Sequence, residues 1–80
     1  MDRASIEKRV LALLSAVLKQ ELENKSLLTR EHLASWDSLK HISIMFALED
    51  EFLVIFTEKE LAELDSFEKI VDVIGLKDAS

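Results

Sequence analysis

The sequence predicts an all-α fold, a four-helix bundle of three longer helices and one short third helix, with a long first loop. Apolar residues recur at helical spacing in three segments, residue types that cap helices precede them, and the chain has no Pro and one Gly. At 80 residues it lies at the small end of chains that fold alone, so residues 1–80 are expected to form a single domain. The apolar run 52–56 could be a strand, but it has no second strand to pair with, which favours a helix end followed by a buried turn.

The first helix is predicted over about residues 3–22, with Asp2 or Ser5 as its cap. Its apolar stripe consists of Ile6, Val10, Leu13, Leu14, Val17, Leu18 and Leu22. Residues 23–37 break this periodicity and are predicted to form the long loop. The polar residues Asn24, Ser26, Thr29, Ser35 and Asp37 interrupt it. Its apolar residues Leu27, Leu28, Leu33 and Trp36 indicate that it lies over the core, with a short turn of helix after Thr29.

The second helix is predicted over residues 38–52, starting at Asp37 and Ser38. Its expected core face consists of Leu39, Ile42, Met45, Phe46 and then Phe52 or Leu53. A capping-box pattern at Thr57 and Glu60 starts a short third helix, residues 58–64. The fourth helix is predicted over residues 66–75, capped by Asp65 and Ser66 and stopped by Gly75.

Acidic residues are concentrated in the second half of the chain. Residues 1–36 hold six Lys/Arg and five Asp/Glu, whereas residues 37–80 hold four and eleven. This half would repel phosphate backbones and attract basic protein surfaces, so we expect protein partners and no nucleic acid. With apolar runs of at most five residues and no signal-peptide pattern, we expect no membrane association and a cytoplasmic location. Solubility alone could also explain the acidic surface.

The sequence offers little for intrinsic catalysis. It has no Cys and two His, without any recognised metal-ligand spacing, so no metal site is predicted. Ser38 and His41 share a helix face and could begin a hydrolase site, but a serine at a helix start is more often a cap. A chain this small also cannot enclose a substrate pocket of the usual volume, so we predict that it is not an enzyme. A phosphate on Ser38 would, however, suit the positive end of the helix dipole.

The stretch 37–52, Asp-Ser-Leu-Lys-His-Ile-Ser-Ile-Met-Phe-Ala-Leu-Glu-Asp-Glu-Phe, resembles the signature of the acyl carrier protein family and the helix after it. The short acidic helix and the terminal helix beginning at Phe67 match in register, so the similarity spans about residues 4–75. The resemblance implies that Ser38 is the attachment point of 4'-phosphopantetheine and that Asp37 assists attachment. The partners it implies are a phosphopantetheinyl transferase and enzymes that load or process acyl or aminoacyl thioesters.

The resemblance also implies docking of basic partners on the second and third helices. The residues expected to serve there are Leu39, Glu49, Asp50, Glu51, Glu58, Glu60 and Glu63. The Trp-Asp-Ser-Leu sequence at 36–39 is more similar to stand-alone carriers of specialised pathways (polyketide, peptide or aminoacyl) than to carriers of fatty acid biosynthesis. Leu53 stands where the family usually has Gly, so the second helix is expected to end differently.

Several residues near Ser38 have two interpretations. Trp36 could line the base of the arm, although packing over the core is more usual for such a residue. Lys40 and His41 could approach the arm's phosphate or could be solvated, and bulky Phe residues between the helices favour short or polar cargo. Two rival functions are an unmodified helical protein-interaction module with an acidic docking face and a Ser38–His41 esterase. A monomer is the default expectation.

Overall fold

A computed structural model describes residues 2–22 and 28–78 of the chain. It contains four helices, α1 (Arg3–Leu18), α2 (Ser38–Phe52), α3 (Glu58–Glu63) and α4 (Phe67–Asp78). Within the described residues no strand forms, and Thr29 and Ser66 make an isolated antiparallel bridge. The predicted all-α four-helix bundle is therefore confirmed. The loop residues Asn24, Ser26 and Leu27 lie outside the described residues.

Helix α1 is shorter than predicted. Asp2, and not Ser5, is its cap, because the Asp2 carboxylate accepts a hydrogen bond of 2.8 Å from the Ser5 N–H. At the other end Lys19 adopts a left-handed conformation (φ 56°), and its N–H bonds to the Ser15 carbonyl. The helix therefore ends at Leu18, although Leu22 continues the buried surface beyond that end.

The core is formed where α1 packs against both α2 and α4. Its most deeply buried side chains come from α1, α2, α4, the loop before α2 and the residue that follows α3: Ile6, Val10 and Leu14, Ile44, Met45 and Leu48, Phe67, Ile70, Val71 and Ile74, Trp36, and Leu64. Because Trp36 is 1% exposed, its interpretation as a core residue is confirmed. The loop before α2 is thus held against the bundle, which fixes the position at which α2 begins.

Helix α2 faces the core with a different stripe from the predicted one. Leu39, Ile42 and Phe46, all expected in the core, are 78%, 51% and 62% exposed, whereas Met45 is buried as predicted. The true stripe is His41, Ile44, Met45 and Leu48, with the helical spacing i, i+3, i+4, i+7. The helix carries apolar residues on two faces. Because His41 is a polar residue on the buried face, hydropathy does not indicate which of the two faces is buried.

The end of α2 keeps a left-handed turn at Leu53 (φ 53°, ψ 49°), so the expectation of a different ending was wrong. This conformation costs a residue other than Gly about 1–2 kcal/mol. The turn is supported by Glu49, whose carbonyl accepts from the Val54 N–H at 3.2 Å. The Glu49 carboxylate also accepts from the Phe56 N–H at 2.9 Å. These two hydrogen bonds hold Leu53 in a conformation that Gly would adopt without strain.

Helix α3 starts as predicted, at Glu58, α4 starts one residue later than predicted, at Phe67, and both end at other residues than predicted. Thr57 and Glu60 form the predicted capping box, and α3 ends one residue early, at Glu63. The Ser66 hydroxyl accepts from the Lys69 N–H at 3.2 Å and caps α4. Gly75 does not stop α4, which continues to Asp78. An ion pair of 3.0 Å between Lys77 and Glu60 holds the additional turn against α3.

The described part of the loop is fastened to the start of α4. The Phe67 N–H donates to the Leu28 carbonyl at 2.8 Å, and the Arg30 N–H donates to the Asp65 carbonyl at 2.7 Å. The Leu33 N–H then closes a single turn on the Thr29 carbonyl at 2.9 Å, as predicted, without continuing into a helix. Residues 28–30 therefore have a fixed position beside the start of α4.

Candidate functional site

Ser38 is the first residue of α2, and its side chain is exposed. The preceding Asp37 is the cap of the helix, since its carboxylate accepts a hydrogen bond of 2.9 Å from the Lys40 N–H. Its carbonyl accepts the first bond of the helix, from the His41 N–H at 2.8 Å. Asp37 therefore fixes where the helix starts, and Ser38 presents its hydroxyl to solvent at the end of the dipole that favours negative charge.

The cation in contact with the Ser38 hydroxyl is Arg30, a residue that the sequence analysis did not single out. One guanidinium nitrogen, Nη2, donates to Ser38 Oγ at 2.9 Å. Arg30 stands eight residues before Ser38 in an irregular loop, where no periodicity reports which side chains meet. The sequence signal for Arg30 is limited to a basic residue in the loop that precedes the candidate phosphate site.

His41 is buried and joins the loop, α2 and α3. The indole nitrogen of Trp36 donates to His41 Nδ1 at 3.0 Å, and the two rings are stacked with 6.1 Å between their centroids. Because an indole N–H can only donate, Nδ1 is the acceptor and Nε2 carries the hydrogen. Nε2 lies 2.6 Å from the Leu61 carbonyl oxygen and donates to it.

The bond to Leu61 has a structural reason. Leu61 is in the last turn of α3, where carbonyl groups lack partners within the helix. The Asp65 N–H, four residues on, bonds instead to the Glu63 carbonyl. His41 thus satisfies an orphan carbonyl of α3, and the interpretation of His41 as a solvated or phosphate-facing residue was wrong.

This geometry also shows that Ser38 and His41 do not form a reactive pair. Both ring nitrogens of His41 are engaged with Trp36 and Leu61, and the residue is 8% exposed. Ser38 Oγ has Arg30 as its partner. A general base must be within hydrogen-bond reach of the proton that it abstracts, and His41 does not meet that condition toward Ser38.

Three exposed apolar side chains follow Ser38 along α2. Leu39, Ile42 and Phe46 are 78%, 51% and 62% exposed, and we call them the α2 apolar patch. Beside the patch is an apolar cleft of about 190 Å³ between α2 and α3, lined by His41, Ile42, Met45, Phe46 and Leu61. The cleft is smaller than a typical small-molecule site of roughly 300–1,000 Å³.

The six acids predicted for partner docking fall into two groups. Glu49 bonds to the turn after α2, Glu51 pairs with Arg9 at 3.2 Å, and Glu60 serves the capping box and pairs with Lys77. The remaining three, Asp50, Glu58 and Glu63, are exposed and make no ion pair within residues 2–22 and 28–78.

The hydrogen bond from the Thr57 N–H, followed by the Lys77 ammonium, lowers the pKa of Glu60 below its ordinary value of 4.5. Glu60 is therefore ionised at neutral pH, and its charge is paired with the Lys77 ammonium.

In the part of the chain that the structure describes, no group of three His, Asp or Glu side chains is arranged to hold a metal ion. None of the helices described is both long enough and apolar enough to cross a bilayer.

Comparison with known proteins gives independent evidence on the family of the chain. The chain is 33% identical over 67 residues to an acyl carrier protein of Buchnera aphidicola subsp. Baizongia pistaciae (strain Bp), covering 84% of this chain and 83% of that protein. No protein-family model matches the sequence, and no solved structure gives a significant match.

Proposed function

Because the chain belongs to the acyl carrier protein family, we propose that it holds acyl or aminoacyl groups as thioesters on a 4'-phosphopantetheine arm attached to Ser38. Membership in the family makes the chain a carrier and not an enzyme. The observation that carries the proposal is the exposed Ser38 hydroxyl, which stands at the start of α2 directly after its Asp37 cap. The chain has no Cys, and the thiol of the arm would supply the sulfur that the chain lacks.

The residues present fit a phosphodiester at this position. In the attachment step, Ser38 Oγ attacks the β-phosphorus of coenzyme A, the new Oγ–P bond forms, and the bond to the leaving 3',5'-ADP breaks. The hydroxyl proton passes to a base of the transferase. The product places a negative charge at the positive end of α2, next to the guanidinium of Arg30.

Mass spectrometry tests the attachment directly. After incubation with coenzyme A, Mg²⁺ and a transferase of broad specificity, the wild-type chain should gain one phosphopantetheine and Ser38→Ala should gain none. Ser43→Ala is a matched control, since Ser43 is an exposed serine on the same helix, and it should be modified like the wild type. If several transferases add nothing to the wild type, the carrier role is refuted and an unmodified interaction module is favoured.

We further propose that partner enzymes dock on the α2 apolar patch and the acids around it. Exposed apolar side chains rimmed by charge are typical of interaction surfaces. Of the six predicted acids, Asp50, Glu58 and Glu63 are the most accessible to a basic partner, because the other three have bonds within the fold. Leu39 would then supply apolar contact immediately beside the arm.

Transfer kinetics test this surface. Asp50→Asn or Glu63→Gln should slow modification through the association rate, more at low salt than at high salt, whereas Glu68→Gln on α4 should have little effect. Phe46→Ala should slow modification while costing less than about 1 kcal/mol of folding stability, because its ring is exposed. If Asp50→Asn, Glu63→Gln and Phe46→Ala are all modified at the wild-type rate at low salt, docking on this surface is excluded.

The proposed cargo is short. The cleft beside the α2 apolar patch is apolar and holds about 190 Å³, while Phe56 and Phe67 are buried in the core. Short acyl groups loaded from acyl coenzyme A should therefore raise the melting temperature of the carrier, and longer chains should add no further increase. A steady increase with chain length would refute short cargo. A specialised pathway, a cytoplasmic location and a monomeric state remain predictions from the sequence.

A further inference from the structure

We infer that Arg30 is a positioning residue for the arm, holding the phosphodiester on Ser38 through its guanidinium; this inference rests on the proposed attachment at Ser38. The contact that carries it is the 2.9 Å hydrogen bond from Arg30 Nη2 to Ser38 Oγ. Arg30 would act on the phosphate through charge and hydrogen bonding, and it would take no part in bond making.

The charge environment of Arg30 differs from that of the other two arginines. Arg3 pairs with Asp72 at 2.8 Å, and Arg9 pairs with Glu51 at 3.2 Å. Within residues 2–22 and 28–78, the Arg30 guanidinium has the Ser38 hydroxyl as its partner and makes no ion pair with a carboxylate. In a chain with sixteen acidic residues, this guanidinium is a cation placed to receive an anion at Ser38.

The backbone holds Arg30 in place before any modification. Its N–H donates to the Asp65 carbonyl at 2.7 Å, and the preceding Thr29 forms the bridge to Ser66. A cation on an anchored backbone loses less conformational entropy when it forms an ion pair than one on a free loop.

Modification at Ser38 would change the partner of Arg30 and not its position. Because the guanidinium already contacts Oγ, it would be able to donate to the non-bridging oxygens of a phosphate attached there. A planar guanidinium can donate to both of these oxygens, a geometry that a lysine ammonium does not provide. Asp37, the acid next to Ser38, would otherwise repel the new charge, so the cation offsets a local cost.

A thermodynamic cycle tests the inference without any partner enzyme present at the measurement. Melting temperatures are measured for the unmodified and modified forms of the wild type, Arg30→Gln and Arg30→Lys, with modification driven to completion and checked by mass. Lys8→Gln on α1 controls for the loss of one exposed positive charge. The cycle isolates the coupling between residue 30 and the arm.

The change in melting temperature on modification should be more favourable in the wild type than in Arg30→Gln by about 1–5 °C at low salt. The difference should shrink at high salt, be partly retained in Arg30→Lys, and be fully retained in Lys8→Gln. Equal changes in the wild type and Arg30→Gln would overturn the role of Arg30 and leave the attachment intact. A wild type that accepts no arm would instead overturn the proposed function, and this inference with it.

Discussion

Replacing His41 with leucine should destabilise the protein by about 2–4 kcal/mol, although Leu fills a similar volume and keeps the apolar contacts. The substitution removes the acceptor of the Trp36 indole N–H and the donor to the Leu61 carbonyl. Trp36 is 1% exposed, so water cannot replace the lost acceptor without opening the loop.

The magnitude follows from these two groups. A buried donor left without a partner costs about 1–3 kcal/mol, and an ordinary lost hydrogen bond costs about 0.5–1.5 kcal/mol. The Leu61 carbonyl belongs to the second class, because its residue is only partly buried. For a domain of this size, a loss of about 2–4 kcal/mol corresponds to a fall in melting temperature of roughly 8–32 °C.

The assay is urea unfolding followed by circular dichroism, in a cycle that includes Trp36→Phe. Phenylalanine removes the indole N–H, so the double variant no longer has a buried donor without an acceptor. It should therefore be more stable than the sum of the two single variants predicts, by about 1 kcal/mol or more. This account of His41 would be refuted if the unfolding free energy of His41→Leu lay within about 0.5 kcal/mol of the wild type, or if the effects of His41→Leu and Trp36→Phe were additive.

Two further predictions concern the end of α2 and the start of α3. Leu53→Gly should stabilise the protein by about 0.5–1 kcal/mol, because relief of the left-handed strain exceeds the added entropy of the unfolded chain. Ile55→Gly, also at an exposed apolar residue but without positive φ, should destabilise it in the same thermal unfolding assay; a loss of stability in both would contradict the reasoning. Since the folded-state pKa of Glu60 is lowered below 4.5, its stabilising contribution is present above that pH and is lost as the pH falls through the folded pKa. The wild type should thus lose more stability than Glu60→Gln on acidification from about pH 5 to pH 3, and parallel urea midpoints across this range would exclude the effect.

The parts of the fold set by local chemistry were predictable from the sequence. The caps at Asp37, Thr57 and Ser66 depend on residue types at fixed spacing, and each is found where its pattern indicated. Helix ends were less predictable, because the end of α1 depends on a left-handed Lys19 and the extension of α4 depends on a tertiary ion pair to Glu60.

The buried face of α2 was not predictable from hydropathy, since that helix has apolar residues on two sides. His41 is on the core side because Trp36 and Leu61 satisfy both of its nitrogens, and those partners come from distant segments. The contact of Arg30 with Ser38 was not predictable either, because it too depends on a distant segment. Its meeting with Ser38 depends on how the loop bonds to the start of α4, through the Asp65 carbonyl.

The single indole of the chain gives the protein an intrinsic optical reporter. With one Trp and no Tyr, selectively excited emission would arise from one place, two residues before Ser38 and stacked on His41. Any event that shifts α3 through its Leu61 carbonyl would change the surroundings of that fluorophore. Loading of the arm and release of its cargo could then be followed in real time, without attaching a dye to the carrier.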